Sequence, residues 1–325
     1  MYRLHLESSK KRNPLFHLTE DAWNLASKRH PELSSKIAVS IGWDGDILEK
    51  SLCDAQGIIV GPLNKELIAT APKLEWIHTT GAGVDHLFPI DWLPTRILVT
   101  NSSGIHADKT EDFISMALLM LHNRIPQIIA DQAKRQWKAP YQFNIKNKTV
   151  AVLGFGDLGQ AAGRGAKRLN MNVIAITRTG KPQLTADKTV AIDDLDSILP
   201  TVDFLVIATP LTAQTKNIID KRRLTLLPPG SGVINIGRAT VMDNEALKES
   251  LIHQHLSGAI LDVFELEPIP EDADIWAVPN LLITPHISCD SPDYIQRVLD
   301  LWFENFANLL HKKAFKNIVN RNLGY

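Results

Sequence analysis

Thr149-Val150-Ala151-Val152-Leu153-Gly154-Phe155-Gly156-Asp157-Leu158-Gly159 decides how this 325-residue chain reads. An apolar run of strand length enters a GxGxxG turn. A helical stretch follows from Leu158 to Leu169, and a second apolar run, Val173-Ile174-Ala175-Ile176, comes after it. In that strand–turn–helix–strand setting the glycines carry a mechanism. Gly154 permits the tight turn, Gly156 lets the backbone approach a pyrophosphate, and Gly159 lets the helix sit close to the sheet. The first helical amides, at Asp157 and Leu158, then face the phosphates.

Working outward, further short apolar runs separated by helix-length segments continue the series. They are Phe204 to Ala208, Gly232 to Asn235, Ala259 to Leu261 and Leu281 to Ile283. Together they predict a doubly wound parallel sheet. A weaker series precedes it at Ile37 to Val39, Gly57 to Val60, Trp76 to Thr79 and Ile97 to Thr100, and predicts a second parallel α/β unit. Between the two, Phe113, Ala117, Met120 and Leu121 share a face of a connecting helix, Ala107 to Ile125, with Pro126 marking its end. A last amphipathic helix, Pro292 to Leu310, carries Ile295, Val298, Leu299, Trp302, Phe303 and Phe306 at core spacing. The fold class expected is α/β, with two Rossmann-like domains of doubly wound parallel sheets and the nucleotide domain inserted into the other. The boundaries expected are 1–103 with 288–325 for the substrate domain and 104–287 for the dinucleotide domain.

The end of the second nucleotide-domain strand discriminates between cofactors. An NAD-selective site places an acid there, roughly 20 residues after the glycines, to hold the ribose hydroxyls. Here the strand runs into Thr177-Arg178-Thr179, and no acid appears until Asp187. A guanidinium can pair with a 2′-phosphate, and the threonines can donate to it. The expectation is a preference for NADP(H), with NAD(H) as the alternative.

Chemistry is written at three later strand ends. Asn235-Ile236-Gly237-Arg238 places an arginine fork, suited to a carboxylate, at the carboxyl edge of the sheet. Asp262-Val263-Phe264-Glu265-Leu266-Glu267-Pro268 and Thr284-Pro285-His286 follow the next two strands. Singly, each is an ordinary post-strand residue. Together they supply an imidazole to move a proton, a carboxylate to tune it and a cation to hold an anionic substrate.

With these phrases in order, the chain resembles the D-isomer-specific 2-hydroxyacid dehydrogenase family over nearly its whole length, and within it the glyoxylate/hydroxypyruvate reductase branch. The resemblance also rests on Gly81-Ala82-Gly83-Val84-Asp85-His86-Leu87, Ala208-Thr209-Pro210-Leu211-Thr212, Ile275-Trp276 and Thr284-Pro285-His286-Ile287. It implies His286 as acid/base, Glu267 as its partner, and Arg238 on the substrate carboxylate and carbonyl oxygen. The backbone amides of Gly83 and Val84 are implied as further carboxylate contacts. Thr209, Pro210, Ile236, Asp262 and Ser288 are implied to lie along the cofactor, with Asp262 meeting the nicotinamide amide. A homodimer formed through nucleotide-domain helices is implied as well. Two phrases depart from the commoner family form: Thr80 leads the Gly81-Ala82-Gly83 loop in place of serine, and Ser288-Cys289-Asp290 replaces a Gly/Ala-rich stretch. Both are expected to tune the pocket.

The activity expected is reduction of a small 2-oxo acid, such as glyoxylate, hydroxypyruvate or a larger analogue, to the D-2-hydroxy acid. The alternatives are an NAD-linked phosphoglycerate-type dehydrogenase and, from another class, a non-catalytic dinucleotide-sensing scaffold. Composition bounds the rest. With 35 basic against 36 acidic residues, neither a nucleic-acid nor a membrane partner is expected, and Lys10-Lys11-Arg12 reads as a solvated loop. No apolar run approaches the roughly 18 residues of a membrane span. Cys53 and Cys289 fit neither a disulfide framework nor a metal spacing, so a cytoplasmic protein without a metal is expected.

Overall fold

The computed structural model describes residues 1–105 and 107–325. The chain divides into two compact units, 1–105 with 291–325, and 106–290.

In the second unit the strands are β6 (Thr149–Leu153), β7 (Asn172–Thr177), β8 (Lys188–Ala191), β9 (Phe204–Ile207), β10 (Gly232–Asn235), β11 (Gly258–Leu261) and β12 (Leu281–Ile283). They form one seven-stranded sheet in the order β12-β11-β10-β9-β6-β7-β8, parallel at every pair. The central strands β6, β9, β10 and β11 read as nearly unbroken apolar runs because both faces are covered. Ala151, Leu153, Leu205 and Ile207 enter one core cluster, while the alternate residues Val150, Val152, Phe204 and Val206 enter another. From β6 the chain winds one way through β7 and β8 and then crosses to β9 on the other side. The carboxyl end of β6 is therefore the switch point of the sheet, where ligands of doubly wound folds bind. Over it lies the Asp157–Arg168 helix, packed so closely on the Ala107–His122 helix that a Cβ on Gly165 would stand 2.7 Å from the Glu111 carbonyl oxygen.

The first unit carries β1 (Tyr2–Ser8), β2 (Ile37–Trp43), β3 (Gly57–Val60), β4 (Trp76–Thr79) and β5 (Leu98–Thr100), in the order β2-β1-β3-β4-β5 and again all parallel. The C-terminal helix, Tyr294–Leu310, supplies much of its core: Trp302, Phe303 and Phe306 are fully buried with Leu4, Leu6 and Trp76. Trp302 stacks on Trp76 with centroids 5.0 Å apart.

Three elements differ from the sequence expectation. β1 is missed because its alternation is polar: His5 and Glu7 are both buried, and they satisfy each other through His5 Nε2 and Glu7 Oε2 at 2.8 Å. β8 is a short edge strand opening on Lys188, with too little apolar content to register. The connecting helix ends at His122, where Arg124 takes a left-handed φ of +58°, and Pro126 opens the next helix, Ile125–Ala133. Proline suits a first helical turn, whose N–H has no partner to lose, so here it starts a helix.

No single helix among the described residues is long and apolar enough to cross a membrane.

Candidate active site

The glycine turn leaves β6 with Gly154 at a φ of +86°, a conformation that L side chains resist. A Cβ there would also lie 2.6 Å from the Thr209 Cα, so Gly154 is required twice over. Gly159 is required by packing alone, since its Cβ would collide with the Gly154 carbonyl oxygen. Gly156 differs: a Cβ at that position would meet no described atom within 4 Å, and its φ is negative. The chain's own packing does not demand that glycine. It fits a group approaching the backbone from outside, at the start of a helix that has no side-chain cap. Asp157 and Leu158 form the first turn of that helix.

The turn after β9 packs against this loop. Ala208 donates its N–H to the Leu153 carbonyl at 2.8 Å, Thr209 is buried, and the Pro210 carbonyl accepts from Thr215 Oγ1 at 2.6 Å. At the end of β7, Thr177 caps the turn by accepting the Gly180 N–H at 3.0 Å, while Arg178 and Thr179 are exposed. Asp187, the first acid after the strand, is held elsewhere. Its Oδ2 accepts the Val173 N–H at 2.7 Å and it pairs with Lys167, at the opposite end of β7 from Arg178.

Past β10, Ile236 is buried and donates its N–H to the Ile207 carbonyl at 3.0 Å. Asn235 shapes the turn that follows: its Oδ1 accepts from the Gly237 N–H at 3.0 Å and its Nδ2 donates to the Arg238 carbonyl at 3.2 Å. Arg238 is half-buried, with Nη1 donating to the Gly237 carbonyl at 2.9 Å.

His286 and Glu267 come together from the turns after β12 and β11. Nδ1 of the ring lies 2.7 Å from Glu267 Oε2, and Glu267 Oε1 accepts the Phe264 N–H at 2.8 Å. The carboxylate is thereby oriented from its own loop and fixes the imidazole with Nδ1–H toward it, leaving Nε2 for other chemistry. The hydrogen bond to Glu267 raises the His286 pKa above its ordinary value. Burial opposes the rise, the Glu267 and Asp262 charges reinforce it, and Arg238 opposes it. Burial pushes the Glu267 carboxyl up, but the bonds from His286 and Phe264 and the nearby cations outweigh it, so the net shift is downward. Arg238 thus acts electrostatically on both members of the pair.

His286 itself adopts a φ of +55°, rare for a side chain of this size. Asp262, fully buried, holds the turn in place. Its Oδ1 accepts from Thr284 Oγ1 at 2.6 Å and the Ile287 N–H at 2.9 Å, and its Oδ2 accepts the Ser288 N–H at 2.9 Å. The holding role of Asp262 is not marked in the sequence; only the turn geometry shows it. Beside it, burial and the charges of Asp290 and Asp262 push the Cys289 thiol up to about 12, so it stays protonated and unreactive.

Gly83 and Val84 lie in the first unit, in the loop that follows β4, with Gly83 partly exposed and Val84 buried.

A parallel sheet with a glycine turn at its switch point, and an Arg, Glu and His gathered along its carboxyl edge, define a dinucleotide-binding oxidoreductase. Residues 115–288 match the family described as D-isomer specific 2-hydroxyacid dehydrogenase, NAD binding domain. The chain belongs to the D-isomer-specific 2-hydroxyacid dehydrogenase family, in its glyoxylate/hydroxypyruvate reductase branch. It is 30% identical over 275 residues to a glyoxylate reductase of Thermococcus litoralis, covering 82% of this chain and 83% of that one. It is 31% identical over 268 residues to a glyoxylate reductase of Thermococcus gammatolerans, covering 80% of each. Among solved structures, a D-isomer specific 2-hydroxyacid dehydrogenase from Xanthobacter autotrophicus Py2, in complex with NADPH and MES, superposes with a TM-score of 0.86 at 27% identity over 99% of both chains.

Proposed function

We propose that the chain reduces small 2-oxo acids, such as glyoxylate or hydroxypyruvate, to D-2-hydroxy acids with a nicotinamide dinucleotide, NADPH in preference to NADH. The observation that carries the reading is the 2.7 Å pairing of His286 Nδ1 with Glu267, which raises the imidazole pKa above its ordinary value and so favours the protonated ring. The names of the Thermococcus relatives support the substrate class.

A nicotinamide dinucleotide, when bound, would supply hydride to the carbonyl carbon. His286, protonated at Nε2 and held by Glu267, gives its proton to the carbonyl oxygen, and the carboxylate offsets the ring's positive charge before the transfer. Arg238 holds the substrate carboxylate and polarises the carbonyl. Gly83 and Val84 keep the carboxylate-binding role that the family resemblance implies for their backbone amides. Gly154, Gly156, Asp157, Leu158 and Gly159 receive the pyrophosphate. Thr209, Pro210, Ile236, Asp262 and Ser288 lie along the rest of the dinucleotide. Arg178, with Thr177 and Thr179, receives the 2′-phosphate. Two observations support that choice: the Arg178 side chain is exposed, and the nearest following acid is committed to Lys167 and Val173.

A cytoplasmic homodimer completes the reading. Trp137, Tyr141 and Phe143 are 100%, 92% and 95% exposed, which excludes a core role in the single chain and suits cover by a second copy.

The test is the initial rate of cofactor oxidation with glyoxylate, hydroxypyruvate, pyruvate and branched 2-oxo acids, each with NADPH and with NADH. Turnover that is faster with NADPH is expected. Tight dinucleotide binding without turnover on any 2-oxo acid would overturn the reading in favour of a dinucleotide-sensing scaffold.

A further inference from the structure

The loop after β4 is held by its carbonyl oxygens, one after another. Tyr294 Oη donates to the Thr80 carbonyl at 2.7 Å. The Gly81 carbonyl accepts twice, from Thr79 Oγ1 at 2.9 Å and from the Ser102 N–H at 3.1 Å. Asn101 Nδ2 donates to the Ala82 carbonyl at 2.8 Å. In a trans peptide the C=O of one residue and the N–H of the next point in opposite directions. Anchoring the oxygens of Thr80, Gly81 and Ala82 to the scaffold therefore turns the amides of Gly81, Ala82 and Gly83 away from it. Among the described residues none of those three amides has an acceptor, and the loop is partly exposed. Three successive N–H groups without an acceptor, in a glycine-rich turn whose carbonyls are held from behind, suit an anion.

The anchors are themselves rigid. Tyr294 is 5% exposed and packs edge-on against Phe16 at 4.8 Å. Asn101 Oδ1 accepts the Ser103 N–H at 3.1 Å, and its own N–H donates to the Asn317 carbonyl at 3.1 Å. Ser102 ends a chain whose direction can be assigned. Its hydroxyl must donate to the Thr79 carbonyl (2.9 Å), so it accepts from His78 Nε2–H (3.2 Å). His78 Nδ1 then accepts from Thr100 Oγ1 (2.7 Å), which accepts from Trp76 Nε1–H (2.8 Å). Burial keeps that histidine neutral, with its pKa lowered to about 3.

We propose that Tyr294 and Asn101 are positioning residues for the substrate carboxylate, aiming the amides of Gly81 to Gly83 at it by holding the carbonyls behind them. The inference rests on the reading of this loop as a carboxylate contact at Gly83, extends that contact to the amides of Gly81 and Ala82, and ties it to the C-terminal helix.

The test compares wild type with Tyr294→Phe, which removes one hydroxyl and keeps the ring. Oxamate, an unreactive 2-oxo acid analogue, is titrated into the protein–NADPH mixture, and amide hydrogen exchange is followed at Gly81–Gly83. Loss of one hydrogen bond should weaken oxamate binding and raise KM for the 2-oxo acid by about three- to tenfold. Exchange in the loop should quicken, while kcat, NADPH affinity and exchange at Gly154–Gly159 stay unchanged. Asn101→Ala should act in the same direction. Phe16→Leu, which loosens the packing but keeps the hydroxyl, should lower thermal stability without weakening oxamate. If wild type binds oxamate and Tyr294→Phe binds it equally, or if Phe16→Leu weakens it as much, the positioning role is overturned and the proposed function stands. If wild type neither binds oxamate nor turns over any 2-oxo acid, the proposed function fails and the inference fails with it.

Discussion

Nδ1 of His286 and Oε2 of Glu267 stand 2.7 Å apart although they lie 19 positions apart in the sequence, each delivered by the turn after a different parallel strand. The bond orients the ring and raises its pKa, and Glu267→Gln separates the two effects: the amide oxygen can still accept from Nδ1–H, while the charge that favours the protonated ring is gone. Reduction needs the protonated ring, so its rate should be level at low pH and fall as pH rises through the raised His286 value. In Glu267→Gln the fall should begin earlier, near the ordinary imidazole value of 6.5. Linkage has the same sign for His286: its contribution to stability is fully present below 6.5 and is lost as pH rises through the folded value. Glu267 contributes in the opposite sense, above its ordinary 4.5, and that contribution is lost as pH falls through its depressed value. A pH–rate profile that does not move in Glu267→Gln would separate the carboxylate from the chemistry.

His286→Ala removes the proton donor and should lower kcat by about a hundred- to ten-thousandfold, the usual scale of general acid catalysis. Dinucleotide affinity, measured by fluorescence quenching, should be unchanged. Full turnover in the variant would transfer the role to another group.

Gly154 and Gly156 should part company when each is changed to alanine. Gly154→Ala puts a Cβ at positive φ and 2.6 Å from the Thr209 Cα, so it should cost about 2–5 kcal/mol of stability in denaturant unfolding. Gly156→Ala meets no such obstacle. It should unfold as wild type does and yet bind the dinucleotide at least tenfold more weakly, on the order of 1.4 kcal/mol.

Arg178→Ala should lower kcat/KM with NADPH by about ten- to a hundredfold, the scale expected when a charge-assisted hydrogen bond is removed. The rate with NADH should be little affected. Equal loss with both cofactors would mean that the arginine acts on the fold and has no part in choosing the phosphate.

Trp137→Ala with Tyr141→Ala should shift the sedimentation coefficient from dimer toward monomer. An unchanged value, or a monomeric wild type, would assign that exposed segment some other duty.

Much of the second unit is legible in the sequence because β6, β7, β9 and β10 are largely buried on both faces and the Gly154–Gly159 spacing has a single backbone meaning. β1 is not, since His5 and Glu7 occupy buried positions that a hydrophobic pattern assigns to nothing, and their mutual bond makes them tolerable there. For the site, residue types and strand ends point to Arg238, Glu267 and His286. The left-handed backbone of His286 and the three donors on Asp262 cannot be read from sequence, because they depend on how two turns meet. Tyr294 falls within the C-terminal helix that the sequence predicts, and nothing local marks it out. That its hydroxyl reaches the carbonyl of Thr80, 214 residues earlier, is a tertiary fact.

The commitment of Asp187 to Lys167 and Val173 also bears on how cofactor choice can change over evolutionary time. The acid is built into the pairing of β7 with the chain that leads to β8, at the end of β7 away from Arg178, so it is not placed to meet a ribose there. Under the proposed reading of Arg178, a lineage moving toward NADH would have to create a new carboxylate at Arg178 or Thr179 and remove the guanidinium as well, which is more than the loss of one side chain.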